Sequence, residues 1–184
     1  MPDNGRRAAF LDRDGTILFD PAYLHLPERV RFLSGSAEAI ARLNAAGFLV
    51  ISVSNQSGIA RGMYEESAYH AVMRRLEELL AGHGARLDGS YFCPHHPDIS
   101  GPCECRKPGL KLFRDAQAKF GIDFTRSVFV GDRLSDVEPA RRLGGKGFLV
   151  ETGRGAEHVQ QARVLGVPVV ADLAAAVAEI VRAA

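Results

Sequence analysis

Five short apolar runs constrain this chain more than any other feature. They occupy residues 8–11, 48–52, 90–93, 128–130 and 147–150, and a weaker sixth covers 167–170. They are short and apolar, several carry β-branched residues, and none shows clean polar alternation. Strands buried on both faces of a parallel sheet read this way. Helical patterns separate them. Residues 36–46 place Ala37, Ile40 and Leu43 on one face, with Gly47 as a C-terminal stop. Residues 64–81 carry Ala68, Val72, Leu76, Leu79 and Leu80 at helical spacing before Gly82 and Gly84. Residues 110–120 stack Phe113, Ala116 and Phe120 ahead of Gly121. Ser135-Asp136-Val137-Glu138 fits a capping box that opens another helix, and Asp172 fits the cap of a last one over 173–183.

Alternating strand and helix predict an α/β fold: a Rossmann-like parallel sheet with helices on both faces, joined by right-handed crossovers. The 184 residues suit a single domain, 1–184, with no repeat or linker. In such sheets ligands bind at the carboxyl ends of strands. Asp12, Asp14, Ser54, Asn55, Asp132 and Asp136 each follow a predicted strand directly, and Cys93 and His95 follow another.

The first of these ends is the most suggestive chemically. In FLDRDGT two acids stand two positions apart and Gly15 offers a turn, so both can face one pocket. One carboxylate can attack phosphorus while the other handles the proton of the leaving group. A magnesium ion would relieve repulsion between the nucleophile and an anionic substrate. Read alone, the same letters also suit a solvated turn.

Four motifs taken in order resolve that choice. FLDRDGT, Ser54-Asn55-Gln56, Lys107 within CRKP, and VGDRLSD at 130–136 resemble the four motifs of the haloacid-dehalogenase-like (HAD) phosphohydrolases. The resemblance spans nearly the whole chain. It implies that Asp12 is the nucleophile and Asp14 the acid–base, with Ser54 and Lys107 stabilising the phosphoryl group. Magnesium would then sit on Asp12, the backbone carbonyl of Asp14, and Asp132. Asp136 can hold Lys107 or a metal-bound water, or serve only as the first-turn acid of its helix.

All three cysteines, Cys93, Cys103 and Cys105, lie within thirteen positions, beside His95 and His96. An odd count argues against a disulfide framework. Three thiolates and one imidazole complete a tetrahedral zinc set, which leaves no open position and makes the zinc structural. Pro94, Pro97, Gly101 and Pro102 suit a small loop wrapped round an ion. CPHH…CxCRKP together with SNQSGIARG is similar to the D-glycero-D-manno-heptose-1,7-bisphosphate 7-phosphatases and to the related histidinol-phosphate phosphatases. That match, not chemistry, selects His95 over His96. It also implies that Arg13, Asp20, Tyr23, Asn55, Gln56, Ser57, Arg106 and Arg133 meet the substrate, a small phosphorylated sugar. Arg61 is an open candidate.

The gaps between motifs hold a flap, single helices and the zinc loop, which leaves no room for a cap domain. The net charge of +1, with no basic stripe, argues against nucleic acid. The first residues lack the apolar stretch of a signal peptide, and no run approaches the ~20 apolar residues of a membrane span. A cytoplasmic monomer is the expectation.

Overall fold

The computed structural model describes residues 5–20 and 22–183. Six parallel strands form one sheet in the order β3-β2-β1-β4-β5-β6. They are β1 (Ala8–Leu11), β2 (Leu49–Asn55), β3 (Gly89–Cys93), β4 (Val128–Gly131), β5 (Lys146–Val150) and β6 (Val169–Val170). Among the described residues seven α-helices accompany them: α1 (Ser36–Ala45), α2 (Glu66–Gly82), α3 (Pro97–Ser100), α4 (Lys111–Phe120), α5 (Leu134–Leu143), α6 (Val159–Val164) and α7 (Leu173–Arg182).

The two-residue period of a strand splits β1 between two cores. Ala9 and Leu11 join Ile40, Leu43, Val72 and Val177 under α1, α2 and α7. Ala8 and Phe10 join Phe113, Ala116 and Phe129 under α4 on the opposite face. There the Phe10 ring stands edge-on to Phe113 at 5.2 Å and stacks on Phe129 at 4.8 Å. Each fully buried side chain of this size contributes about 1.5–3 kcal/mol. The middle of the sheet is therefore the most firmly fixed part of the molecule. α1 stops where Gly47 turns left-handed at φ +80°, and Phe48 N–H then returns to the Leu43 carbonyl.

Several boundaries move from their sequence-based positions. β2 runs to Asn55 because Ser54 and Asn55 pair with Phe92 and Cys93 of β3, so these polar residues end the strand instead of following it. α2 starts at Glu66 and releases Tyr64 from the helix. The capping register of α5 lies two residues earlier than the Ser135–Glu138 box. Asp136 accepts the Arg133 N–H at 2.9 Å, and Ser135 is already helical. α6 has no counterpart in the sequence reading, its six residues being too few and too polar to show a period.

Among the described residues no cap domain is inserted. Only a turn of 3-10 helix (Pro27–Arg29) and α1 separate β1 from β2, and only α2 separates β2 from β3. No helix among the described residues is long and apolar enough to cross a membrane.

Candidate active site

The strand order reverses between β1 and β4, and the crevice outside their carboxyl ends is where such sheets bind ligands. Here Leu11 pairs with Val130. Asp12 and Asp132, each one or two residues beyond that pair, therefore become neighbours. They open into a cavity of about 940 Å³ that Asp14, Lys107 and Asp136 also line.

Lys107 is the centre of charge. Its Nζ lies 2.7 Å from Asp12 Oδ1 and 2.9 Å from Asp136 Oδ1, and the lysine is only 4% exposed. Burial alone would lower its pKa, but Asp12 and Asp136 outweigh burial and hold it charged above its usual range. Burial raises the Asp12 pKa well above the ordinary carboxylate value. Lys107 opposes that shift, while Asp136, Asp132 and Asp14 add to it. Burial, then Asp136, raises Asp132 to about 6. Carboxylate oxygens of Asp12, Asp132 and Asp136 lie within 4.8 Å of one another, with Lys107 the cation bonded to two of them. Such an excess of negative charge in a buried pocket calls for a cation.

The donor set fits a hard divalent ion. Asp132 Oδ1 is buried with no hydrogen-bond partner, while Oδ2 accepts the Arg154 N–H at 2.8 Å. Gly15 and Gly153, both at positive φ, close over that carboxylate. A Cβ at either position would fall 2.4 or 2.2 Å from Asp132 Oδ2. Only glycine lets the two loops approach this closely. Asp136 resolves the alternatives left by its sequence position, since it does two jobs at once. Oδ1 grips Lys107 and Oδ2 caps α5, so neither oxygen is idle.

The side chains of Asp14 and its neighbours form a second network. Arg13 binds Asp14 through two parallel bonds, Nε to Oδ1 and Nη2 to Oδ2, both 2.8 Å. Gln56 donates from Nε2 to Asp14 Oδ2 at 2.9 Å. Two expectations shift here. Arg13 was expected against substrate, yet it is fully buried behind Asp14 and takes no part in lining the cavity. The alternation of the chain after β1 turns it inward, and the Tyr69 ring 5.4 Å away covers it. Ser54 likewise lies 1% exposed beneath the cavity, where its Oγ receives Gln56 Nε2 at 3.2 Å. The extension of β2 buries it.

The remaining candidates do line the cavity: Asp20, Tyr23, Asn55, Ser57, Arg106 and Arg133, together with Arg61. Asn55 is also a structural clasp. Its amide exchanges two bonds with the Lys107 backbone, at 3.0 and 3.2 Å, and so fixes the loop that delivers the lysine. Thr152, Gly153 and Arg154 line the cavity without having been singled out. They follow β5, so the strand-end rule was available to find them. Tyr64 gave no such signal, because it read as the start of a helix.

The cysteine loop stands beside this cavity. Cys93, His95, Cys103 and Cys105 converge. Their sulfur atoms lie 3.1, 3.6 and 3.7 Å apart, and His95 Nδ1 is 3.2 Å from Cys105 Sγ and 3.7 Å from Cys93 Sγ. A tetrahedron with metal–sulfur bonds of about 2.3 Å has edges of about 3.8 Å. The four donors therefore approach the shell of one zinc ion. His96 is engaged elsewhere, its Nε2 lying 2.7 Å from Arg61. Burial raises the Cys93 thiol pKa, so a bound cation is what would favour its thiolate.

A parallel sheet with acids at its switch point and a buried lysine clamp defines the HAD-like class of hydrolases. The HAD-hydrolase-like family model matches residues 104–176. The D-glycero-beta-D-manno-heptose-1,7-bisphosphate 7-phosphatase of Photorhabdus laumondii is 40% identical over 94% of this chain and 96% of its own length. Its counterpart in Rhodopseudomonas palustris is 44% identical over 79% of this chain and 84% of its own length. The crystal structure of D,D-heptose 1.7-bisphosphate phosphatase from B. bronchiseptica, complexed with magnesium and phosphate, superposes with a TM-score of 0.88. It is 35% identical and covers 97% of this chain and 99% of its own. The chain belongs to the heptose-1,7-bisphosphate 7-phosphatase family of HAD phosphohydrolases.

Proposed function

We propose that this protein is a magnesium-dependent phosphatase that removes the 7-phosphate of D-glycero-D-manno-heptose 1,7-bisphosphate. The observation that carries the reading is the meeting of Asp12, Asp14, Lys107 and Asp132 in one cavity, in a chain about 40% identical to phosphatases of that name. Asp12 attacks phosphorus in line with the departing sugar oxygen and becomes an aspartyl-phosphate. Asp14 gives that oxygen its proton and then takes one from the water that cleaves the intermediate. Lys107 compensates the charge on Asp12 and on the transferring group. Asp12, Asp132 and the Asp14 carbonyl would hold magnesium, which supplies charge neutralisation to the phosphoryl oxygens. Asp20, Tyr23, Asn55, Ser57, Arg106 and Arg133 surround the sugar. The arginines are suited to its second phosphate, because a guanidinium binds phosphate oxygens in pairs. The cysteine loop holds a structural zinc, and the enzyme works in the cytoplasm as a monomer.

The test is phosphate release from both anomers of the heptose bisphosphate and from histidinol phosphate, with and without magnesium. Faster turnover of a heptose bisphosphate, dependent on magnesium, is expected. Preference for histidinol phosphate would overturn the substrate assignment and leave the chemistry standing.

A further inference from the structure

Resting on the reading of Asp14 as the acid–base, we infer that Arg13, Gln56 and Tyr64 are positioning residues that lock Asp14 Oδ2 and leave Oδ1 as the atom that moves the proton. The count of lone pairs points to this division. A carboxylate oxygen accepts about two hydrogen bonds. Asp14 Oδ2 takes Arg13 Nη2 at 2.8 Å and Gln56 Nε2 at 2.9 Å, so it is filled. Oδ1 takes only Arg13 Nε at 2.8 Å and keeps a free position. The Asp14 side chain is 21% exposed, and the residue lines the cavity.

Each member of the network is oriented by the next. Gln56 Oε1 accepts Arg13 Nη2 at 3.1 Å and the Tyr64 hydroxyl at 2.7 Å. With its oxygen committed to two donors, the amide nitrogen of Gln56 must face Asp14. Burial raises Tyr64 to about 12, which keeps its hydroxyl a donor across the working pH range. The Tyr64 ring in turn stacks on His25 at 5.4 Å and 7°, and His25 Nδ1 lies 2.8 Å from the Tyr23 carbonyl. Ala22 and Tyr23 occupy the left-handed region, at φ 67° and 57°, which non-glycine residues rarely hold without outside support. The stack on Tyr64 supplies such support. The flap over the cavity and the acid–base are therefore joined through one tyrosine. Arg13 cannot be a substrate contact here, because its charge is wholly buried and it faces Asp14 instead of the cavity.

The proton path balances as follows. The ester oxygen leaves phosphorus with the proton from Asp14 Oδ1 as the bond from Asp12 to phosphorus forms. A water oxygen then attacks that phosphorus, its proton goes to Oδ1, and the bond from phosphorus to Asp12 breaks.

The experiment measures kcat/KM on aryl phosphates with progressively poorer leaving groups, from p-nitrophenyl to p-methoxyphenyl phosphate. An aimed acid flattens the dependence of rate on leaving group, and a misaimed one steepens it. Arg13→Lys and Gln56→Leu should lose about tenfold or more on the poorest leaving group and distinctly less on p-nitrophenyl phosphate. Tyr64→Phe keeps the ring against His25 and should give the same steepening in weaker form, so the idea remains testable if the other two variants fold poorly. Variants that lose activity equally on all esters would overturn the inference, since a general structural role predicts a parallel loss. An unmodified enzyme with no turnover on any ester would instead sink the phosphatase reading and the inference with it.

Discussion

Two groups of metal-ligand type sit side by side in this molecule and are built on opposite principles. The carboxylate group stands on the ends of β1 and β4, the most deeply packed strands, and opens into the cavity. The thiol group stands mostly on a loop that contains only the short α3, and its four donors close on one another. The first has a scaffold already and carries surplus negative charge. The second touches the core through its cysteines, but no residue between Cys93 and Lys107 is buried, so a bound ion would serve as the core of the loop. An ion that must meet substrate belongs on a rigid framework with a free face. An ion that only staples a loop needs all its positions filled. The two groups are mechanically joined, because Cys105 is two residues from Lys107 and the Cys93 carbonyl accepts the Gln56 N–H at 2.8 Å.

The largest test of that contrast is Asp12→Asn. Turnover should vanish while circular dichroism and zinc content stay at wild-type levels. Activity that persists would remove the nucleophile from the open group. Lys107→Ala comes next. A buried donor to developing charge is worth about 10²–10³ in kcat, and steady-state kinetics on a heptose bisphosphate would measure it. A loss below about tenfold would reduce the lysine to a packing role.

Stripping zinc should have a smaller effect that spreads from one group to the other. Cys105→Ser should abolish zinc binding by metal analysis, make the loop at 93–105 a protease site and lower kcat several-fold through Lys107, with the sheet intact. His95→Ala should behave alike, whereas His96→Ala should keep its zinc. Zinc lost equally in both histidine variants would break the assignment of the closed set.

The smallest expected effect is on pH. Asp132 has its pKa raised to about 6, so in the metal-free protein its neutral form is the stable one at low pH. Its contribution to stability is present below the unfolded carboxylate range and is lost as pH rises through about 6. Magnesium reverses the sign by favouring the ionised form. The rise in Tm on adding magnesium should therefore grow between pH 5 and about 7, as thermal unfolding scans would read. A magnesium effect independent of pH would argue that Asp132 does not bind it.

Much of this was legible in the letters. β1 sits where the run AAFL placed it, because both of its faces are apolar and no other local structure competes. Asp12 and Asp132 meet as the strand-end rule requires, and Lys107, found through its motif, joins them from the loop before α4. The exceptions share one cause. Ser54 and Arg13 carry polar side chains at strand ends, and sequence cannot say whether such a side chain faces a cavity or its neighbours. Pairing with β3 buries Ser54, and the Asp14 carboxylate draws Arg13 inward. Tyr64 escaped notice because its role depends on α2 starting two residues later than its periodicity suggests.

The sequence by itself therefore determined the layers of the fold, the acids at its switch point and the four donors of the thiol loop. These follow from periodicity and from residue chemistry, which are local. Tertiary structure alone decided that His96 reaches Arg61 instead of the thiol set, that Asp136 clamps Lys107 while capping α5, and that Arg13 binds Asp14. Those choices turn on distant partners, Arg61 for His96, Lys107 for Asp136 and Gln56 for Arg13, and engagement of that kind exists only once the strands have been placed side by side.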